Sequence, residues 1–163
     1  MIKDGKREKR VKVTEEKAVK QCAPELDDLL CFSLYSTSLA MNKLYRKLLK
    51  PLDITYSQYL VLVSLWERDG QAVNAIGERL YLDSATLTPL LKRMEASDLV
   101  TRQRALKDER SVIVSLTQKA IEMEPKVAAI MEKALCAADM DMTEFKETKA
   151  KLEKLRTNLL NNF

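Results

Sequence analysis

Residues 83–116 read DSATLTPLLKRMEASDLVTRQRALKDERSVIVSL, and within them the spacing of apolar residues changes from a helical period to a strand period. In the first half, Leu87, Leu90, Leu91 and Met94 follow i, i+3, i+4, i+7, which marks one inward helix face, and Asp83-Ser84 supplies an N-terminal cap. The spacing predicts a helix to about Ser97. In the second half, LVTRQRAL and RSVIVSL alternate apolar with polar residues and are rich in Val and Ile, with KDE (107–109) as the turn between them. A helix followed at once by a hairpin is the expectation on which the rest is built.

Upstream, Thr55 and Gln58 match the capping box S/T-x-x-E/Q and open a helix that is apolar on nearly every side through Trp66 and stops near Gly70, which implies burial. Asn74 to Leu80 reads as a short helix. From Leu26 to Leu49, between Pro24 and Pro51, mixed three- and four-residue apolar spacings predict one long helix. Downstream, Thr117 begins a helical region reaching about Ala138, in which Pro125 is expected to force a kink or break. Asp141 and Glu144 suggest a capping box for a last helix striped by Leu152, Leu155 and Leu159. This order is that of a winged helix-turn-helix with long N- and C-terminal dimerisation helices, a mainly α (α+β) fold. Residues 1–24 then form a basic, disordered arm and residues 25–163 a single domain, with the winged module at about 53–116 and the terminal helices at about 26–50 and 117–162. A module that small does not cover both terminal stripes, so a homodimer is expected to bury the remainder.

Composition removes most enzyme classes. Among 163 residues there is no histidine, so hydrolases of the Ser-His-Asp or Cys-His type are excluded, and the three glycines (Gly5, Gly70, Gly77) make no phosphate loop. The cysteines at 22, 31 and 136 form no CxxC pair, so neither a metal nor a cofactor is expected. The formal charge of +4 sits entirely in residues 1–24, with eight basic and four acidic residues; the remainder balances 20 against 20. No signal-peptide core opens the chain, and the longest apolar run, YLVLVSLW at 59–66, is too short for a bilayer, which points to a cytoplasmic protein without membrane contact.

A nucleic-acid reading follows from the outward face of the 84–97 helix. At 100° per residue that face centres on Ala85, Pro89, Lys92 and Ala96, flanked by Thr86, Thr88 and Arg93, with Ser84 at its start. Small and hydroxyl side chains followed by cations suit a helix whose first half meets base edges and whose second half meets phosphates, and free amides at Ala85 and Thr86 could hold a phosphate as well. Pro89 reads either as a shaped, dehydrated contact or as an irregularity of the first turns. Around the hairpin, Arg102, Arg104, Lys107 and Arg110 gather four cations. Arg110 follows Asp108 by two residues, so a carboxylate can steady an arginine entering a minor groove.

From about Leu29 to Thr117 the chain resembles a MarR-type repressor, on DSATLTPLLKRME followed by RQRALKDERSVIVSLT. LCFSLYSTSLAMNKLY and ITYSQYLVLVSLWE are similar, more narrowly, to the organic-hydroperoxide-sensing (OhrR-type) branch. The residues themselves place Tyr35 one helical turn after Cys31, where its hydroxyl could donate to the sulfur. The resemblance implies more: Tyr45 and Tyr56 completing the site from the other subunit, oxidation of Cys31 to sulfenic acid by an organic hydroperoxide, and an intersubunit disulfide with Cys136 as the resolving thiol of the two-cysteine kind. It implies a pseudo-palindromic operator released on oxidation. Cys22 matches neither role, though it could compete as a resolving partner. A MarR-type repressor relieved by a small aromatic ligand, a thiol peroxidase that turns over, and a helical adaptor without DNA function are the alternatives.

Overall fold

The computed structural model describes residues 23–105 and 108–162; the basic arm through Cys22, and Lys107, lie outside the described residues. The elements run α1 (Leu30–Leu49), α2 (Tyr56–Glu67), β1 (Gln71–Ala72), α3 (Val73–Leu80), α4 (Ser84–Ala96), β2 (Val100–Ala105), β3 (Asp108–Leu116), α5 (Gln118–Ala138) and α6 (Met142–Asn161). The expected winged helix-turn-helix is therefore present.

Helix starts follow the caps. Thr55 accepts from the Gln58 amide while the Gln58 side chain accepts from the Thr55 amide at 2.8 Å, and Asp141 with Glu144 repeats the box at α6. Asp83 and Thr117 cap α4 and α5 through the amides of Thr86 and Ala120.

Four expectations need correction. The long helix does not begin at Leu26: a 3-10 turn covers Leu26–Asp28, Leu29 is extended, and α1 starts at Leu30. Apolar spacing carries no boundary here, and aspartates such as Asp27 and Asp28 favour local turns over continued helix. The hairpin is part of a three-stranded antiparallel sheet of order β1-β3-β2, with Gln71 opposite Val114 and Ala72 opposite Ile113; a two-residue strand is too short to alternate. The turn is shorter than KDE, since Asp108 and Glu109 already belong to β3. Pro125 does not break α5, which runs from Gln118 to Ala138. The carbonyl deprived of its donor is that of Ile121, an exposed residue, so water can take the place of the missing amide.

The core lies under the winged module. Leu49, Leu62, Leu65, Ile76, Leu87, Leu91, Met94 and Val114 are fully buried, and α5 closes one side with Ala120, Met123, Val127 and Ile130. Trp66 pins that side by donating its indole N–H to the Ala120 carbonyl at 3.1 Å. The buried Ser64 hydroxyl is satisfied by Gln71 Nε2 at 3.2 Å. The outer helices are less covered: α6 has no fully buried residue and α1 only Leu49, with Tyr45 and Leu48 partly buried against the core. Leu26, Leu30, Tyr35, Leu39, Met142, Leu152, Leu159 and Leu160 are all exposed.

Candidate nucleic-acid interface and thiol site

The helix-turn-helix presents the face that the α4 spacing predicts. Leu87, Leu90, Leu91 and Met94 turn inward, at most 5% exposed, while Ser84, Ala85, Thr86, Thr88, Pro89, Lys92 and Arg93 are exposed. Pro89 lies in the sixth position of α4, beyond the first turn, and the helix continues through it. The carbonyl it leaves without a donor is that of exposed Ala85. Of the two amides expected to hold a phosphate, that of Thr86 is already engaged. Asp83 accepts from the Thr86 amide at 2.7 Å, which holds its carboxyl below the usual aspartate range, with further help from the Thr86 hydroxyl and the Ala85 amide.

In the wing, Arg104 is exposed, whereas Arg102 is half-buried and bound through Nε to Glu95 Oε2 of α4 at 2.9 Å. Its register partner is the buried Val114, so its stem lies on the inner face of the sheet and only the guanidinium reaches outward. Arg102 lines a notch of about 320 Å3 between α3, α4 and the wing together with Asn74, Ser84, Thr88 and Ser111. Asn74 and Ser111 are polar groups on this face that the sequence reading missed, because neither lies on the α4 stripe or in the hairpin turn. Asp108 and Arg110 are in β3, but their side chains, like Lys107, lie outside the described residues.

The thiols and tyrosines occupy different places on the terminal helices. Cys31 is exposed at the start of α1, and Tyr35, one turn on, is 62% exposed, so within one chain Cys31 is not an inert core residue. Cys136 is also an exposed free thiol, two residues before the end of α5. Tyr45 and Tyr56 come together, ring centroids 4.5 Å apart, and Tyr59 joins them at 5.6 Å from Tyr45 and 6.2 Å from Tyr56. Burial pushes all three phenols up; that of Tyr45 reaches about 12, raised also by Tyr59 and Tyr56. At 1.5 Å per residue, the fourteen residues from Cys31 to Tyr45 on continuous α1 span about 21 Å, so a chain does not close this site on itself.

Beside the tyrosines, α1, α2, α5 and α6 enclose a mostly apolar groove of about 480 Å3, lined by Met41, Tyr45, Tyr59, Met131, Leu135, Phe145 and Leu152, with Lys149, Glu153 and Arg156 among its polar residues. Among the described residues no cluster of His, Cys, Asp or Glu is placed to hold a metal, and no helix is long and apolar enough to cross a membrane.

Comparison with known proteins bears on both faces. A family model described as the transcriptional regulator SarA/Rot matches residues 43–126. The chain is 44% identical over 135 residues to the organic hydroperoxide resistance transcriptional regulator of Bacillus subtilis, covering 83% of this chain and 92% of that protein. It is similar to AbfR of Staphylococcus epidermidis in reduced, DNA-bound form, with a TM-score of 0.71 and 42% identity over 83% of this chain and 93% of that one. Against the disulfide-formed AbfR the TM-score is 0.59, at 43% identity over 83% and 90%.

Proposed function

This chain belongs to the MarR-type winged-helix transcriptional regulators, in the branch of the organic hydroperoxide resistance regulators, and we propose that it is a homodimeric repressor released from operator DNA when Cys31 is oxidised by an organic hydroperoxide. The observation that carries the redox part is the separation on α1. Cys31 and Tyr35 stand at one end and the Tyr45–Tyr56–Tyr59 cluster at the other, about 21 Å away along one continuous helix. An antiparallel partner α1 would bring each thiol to the other chain's phenols. Both exposed terminal stripes would be covered by the same act.

The chemistry balances without a cofactor. The Cys31 thiolate attacks the distal peroxide oxygen, the O–O bond breaks, and the alkoxide leaves as an alcohol after taking a proton. Phenol hydroxyls from Tyr35 and from the partner's Tyr45 and Tyr56 would donate to the anion and to the departing oxygen. Cys31 is now a sulfenic acid, two electrons more oxidised. The Cys136 thiol of the other subunit attacks that sulfur, water leaves, and a disulfide remains. Apolar neighbours such as Leu30, Phe32 and Leu34 favour organic peroxides over hydrogen peroxide.

For DNA, α4 would enter successive major grooves of a pseudo-palindrome with the wing beside it, Ser84, Thr86, Thr88 and Pro89 toward the bases and Lys92, Arg93, Arg102 and Arg104 toward phosphates. Arg110, steadied by Asp108, and Lys107 would act from the wing tip. A disulfide that moved α1 and α5 would change the spacing of the two recognition helices. That the chain matches reduced, DNA-bound AbfR better than the disulfide-formed protein supports assigning its present shape to the binding state.

The test is to treat the purified protein with cumene hydroperoxide and run non-reducing electrophoresis and DNA binding in parallel. The wild type should form a covalent dimer and lose DNA. Cys31→Ser should do neither, and Cys136→Ser should form no covalent dimer. If Cys31→Ser still releases DNA on peroxide treatment, the thiol reading is wrong. A second reading, relief by a small aromatic ligand, is favoured by the groove beside Tyr45, Tyr59 and Phe145. Release of Cys31→Ser by such a compound alone would support it.

A further inference from the structure

The turn between α3 and α4 fixes the recognition helix and leaves one aromatic handle on the surface. A Cβ on Gly77 would stand 2.9 Å from the Leu82 carbonyl oxygen, and the Leu82 amide donates to the Gly77 carbonyl at 2.9 Å, so the backbone there is closely packed. Tyr81 caps α3 with φ of 56°, a left-handed conformation that side-chain-bearing residues rarely adopt. Its ring is neither in the core nor on the outward face of α4, and it is 59% exposed.

Arg156 of α6 lies over that ring, its guanidinium carbon 4.6 Å from the centroid, within the range of a cation–π contact. Leu160, one turn further, lines a cleft of about 520 Å3 with Val73, Tyr81, Leu82 and Leu87. Glu153, three residues before Arg156 on α6, accepts from Lys149 at 2.6 Å, and Lys149 foremost, with a lesser pull from the Arg156 charge, holds its carboxyl below the usual glutamate range. Leu152, Arg156 and Leu160 share one face of α6 by their i, i+4, i+8 spacing. Leu152 and Arg156 also line the groove whose other wall holds Tyr45 and Tyr59. One helix face therefore borders the groove of the tyrosine cluster and meets the turn that carries α4 through Tyr81.

We propose that Arg156 is a positioning residue for DNA recognition: stacked on Tyr81, it makes α6 a strut that holds the α3–α4 turn and so sets the angle of α4. The proposal rests on the reading of α4 as the recognition helix and is independent of Cys31 chemistry. Displacement of α6 from the groove, by whatever agent, reaches α4 through this contact.

A double-mutant cycle on the reduced, full-length protein tests it, using a duplex that the wild type selects from a random-sequence pool and fluorescence anisotropy to read affinity. Arg156→Ala and Tyr81→Ala should each weaken binding roughly two- to five-fold, the factor that an exposed cation–π contact supports. The double variant should be no worse than either alone. Tyr81→Phe keeps the ring and should bind as the wild type does. The dependence of affinity on salt should keep its wild-type slope in every variant, since a positioning residue neutralises no phosphate. Additive losses, a loss in Tyr81→Phe equal to that in Tyr81→Ala, or a shallower salt slope in Arg156→Ala would each overturn the proposal. If the wild type selects no duplex, the reading of α4 falls first and the strut with it.

Discussion

Tyr45 sits where a phenolate would be poorly solvated and would face two further phenols, Tyr56 and Tyr59. Burial is the larger cause of its rise to about 12 from the ordinary 10.0, and the neighbouring phenols add to it. The sign follows directly. The folded state prefers the neutral phenol, so the stabilisation is fully present below pH 10 and is lost as pH climbs from there toward 12. In an absorbance titration at 295 nm, a late step near pH 12 should therefore appear and should vanish in Tyr45→Phe. Tyr45→Phe should also unfold at higher alkaline pH than the wild type. The absence of any step near pH 12 would contradict the packing. Parts of this site were legible in the chain and parts were not. Cys31 and Tyr35 are one turn apart, so helical spacing alone pairs them. Tyr59 was hidden because it lies on α2, where apolar residues on nearly every side make any aromatic look like ordinary core.

At the scale of elements, what could be read from sequence is what short-range chemistry controls. The caps Thr55, Asp83, Thr117 and Asp141 act on amides two or three residues ahead, within reach of a local pattern. Strand β1 depends on Val114 and Ile113, more than forty residues away, and nothing near Gln71 announces them. Pro125 misleads for the opposite reason: the local rule is sound, but its cost depends on whether the orphaned carbonyl meets water. The α3–α4 junction offers a sharper case of competing effects. In an ordinary helix, Gly→Ala gains up to about 1 kcal/mol. At Gly77 the added methyl meets the Leu82 carbonyl oxygen at 2.9 Å and Leu87 Cδ2 at 3.5 Å. Overpacking against backbone costs about 1–3 kcal/mol, so the clash outweighs the propensity. Gly77→Ala is expected to lower stability in urea titration by up to about 2 kcal/mol, the difference of those two terms at their upper values. It should also weaken DNA binding by tilting α4. An unchanged or higher urea midpoint would show that the turn relaxes freely.

For the whole molecule, the decisive feature is that no residue of α6 is fully buried within its own chain, while Leu152, Leu159 and Leu160 are exposed at about half their surface. Two readings differ in magnitude. If Leu159 faces only solvent, Leu159→Glu changes stability by no more than about 0.5 kcal/mol, as surface substitutions usually do. If it faces a second copy, two-fold symmetry makes the one substitution count twice. Each leucine then forfeits about 1.5–3 kcal/mol of burial, before any cost of desolvating a carboxylate. A loss of about 3 kcal/mol or more weakens association at least roughly 100-fold. Light scattering on the wild type should accordingly give twice the 18.6 kDa of one chain, and Leu159→Glu at low micromolar concentration should give close to the single-chain mass. DNA affinity should fall in step, because a lone module holds one half-site and loses the gain from binding two at once. Leu159 is separate from the Arg156–Leu160 face that meets Tyr81, so the helix-turn-helix of the monomer should keep its melting behaviour. A dimer that survives Leu159→Glu intact would move the interface off this stripe of α6.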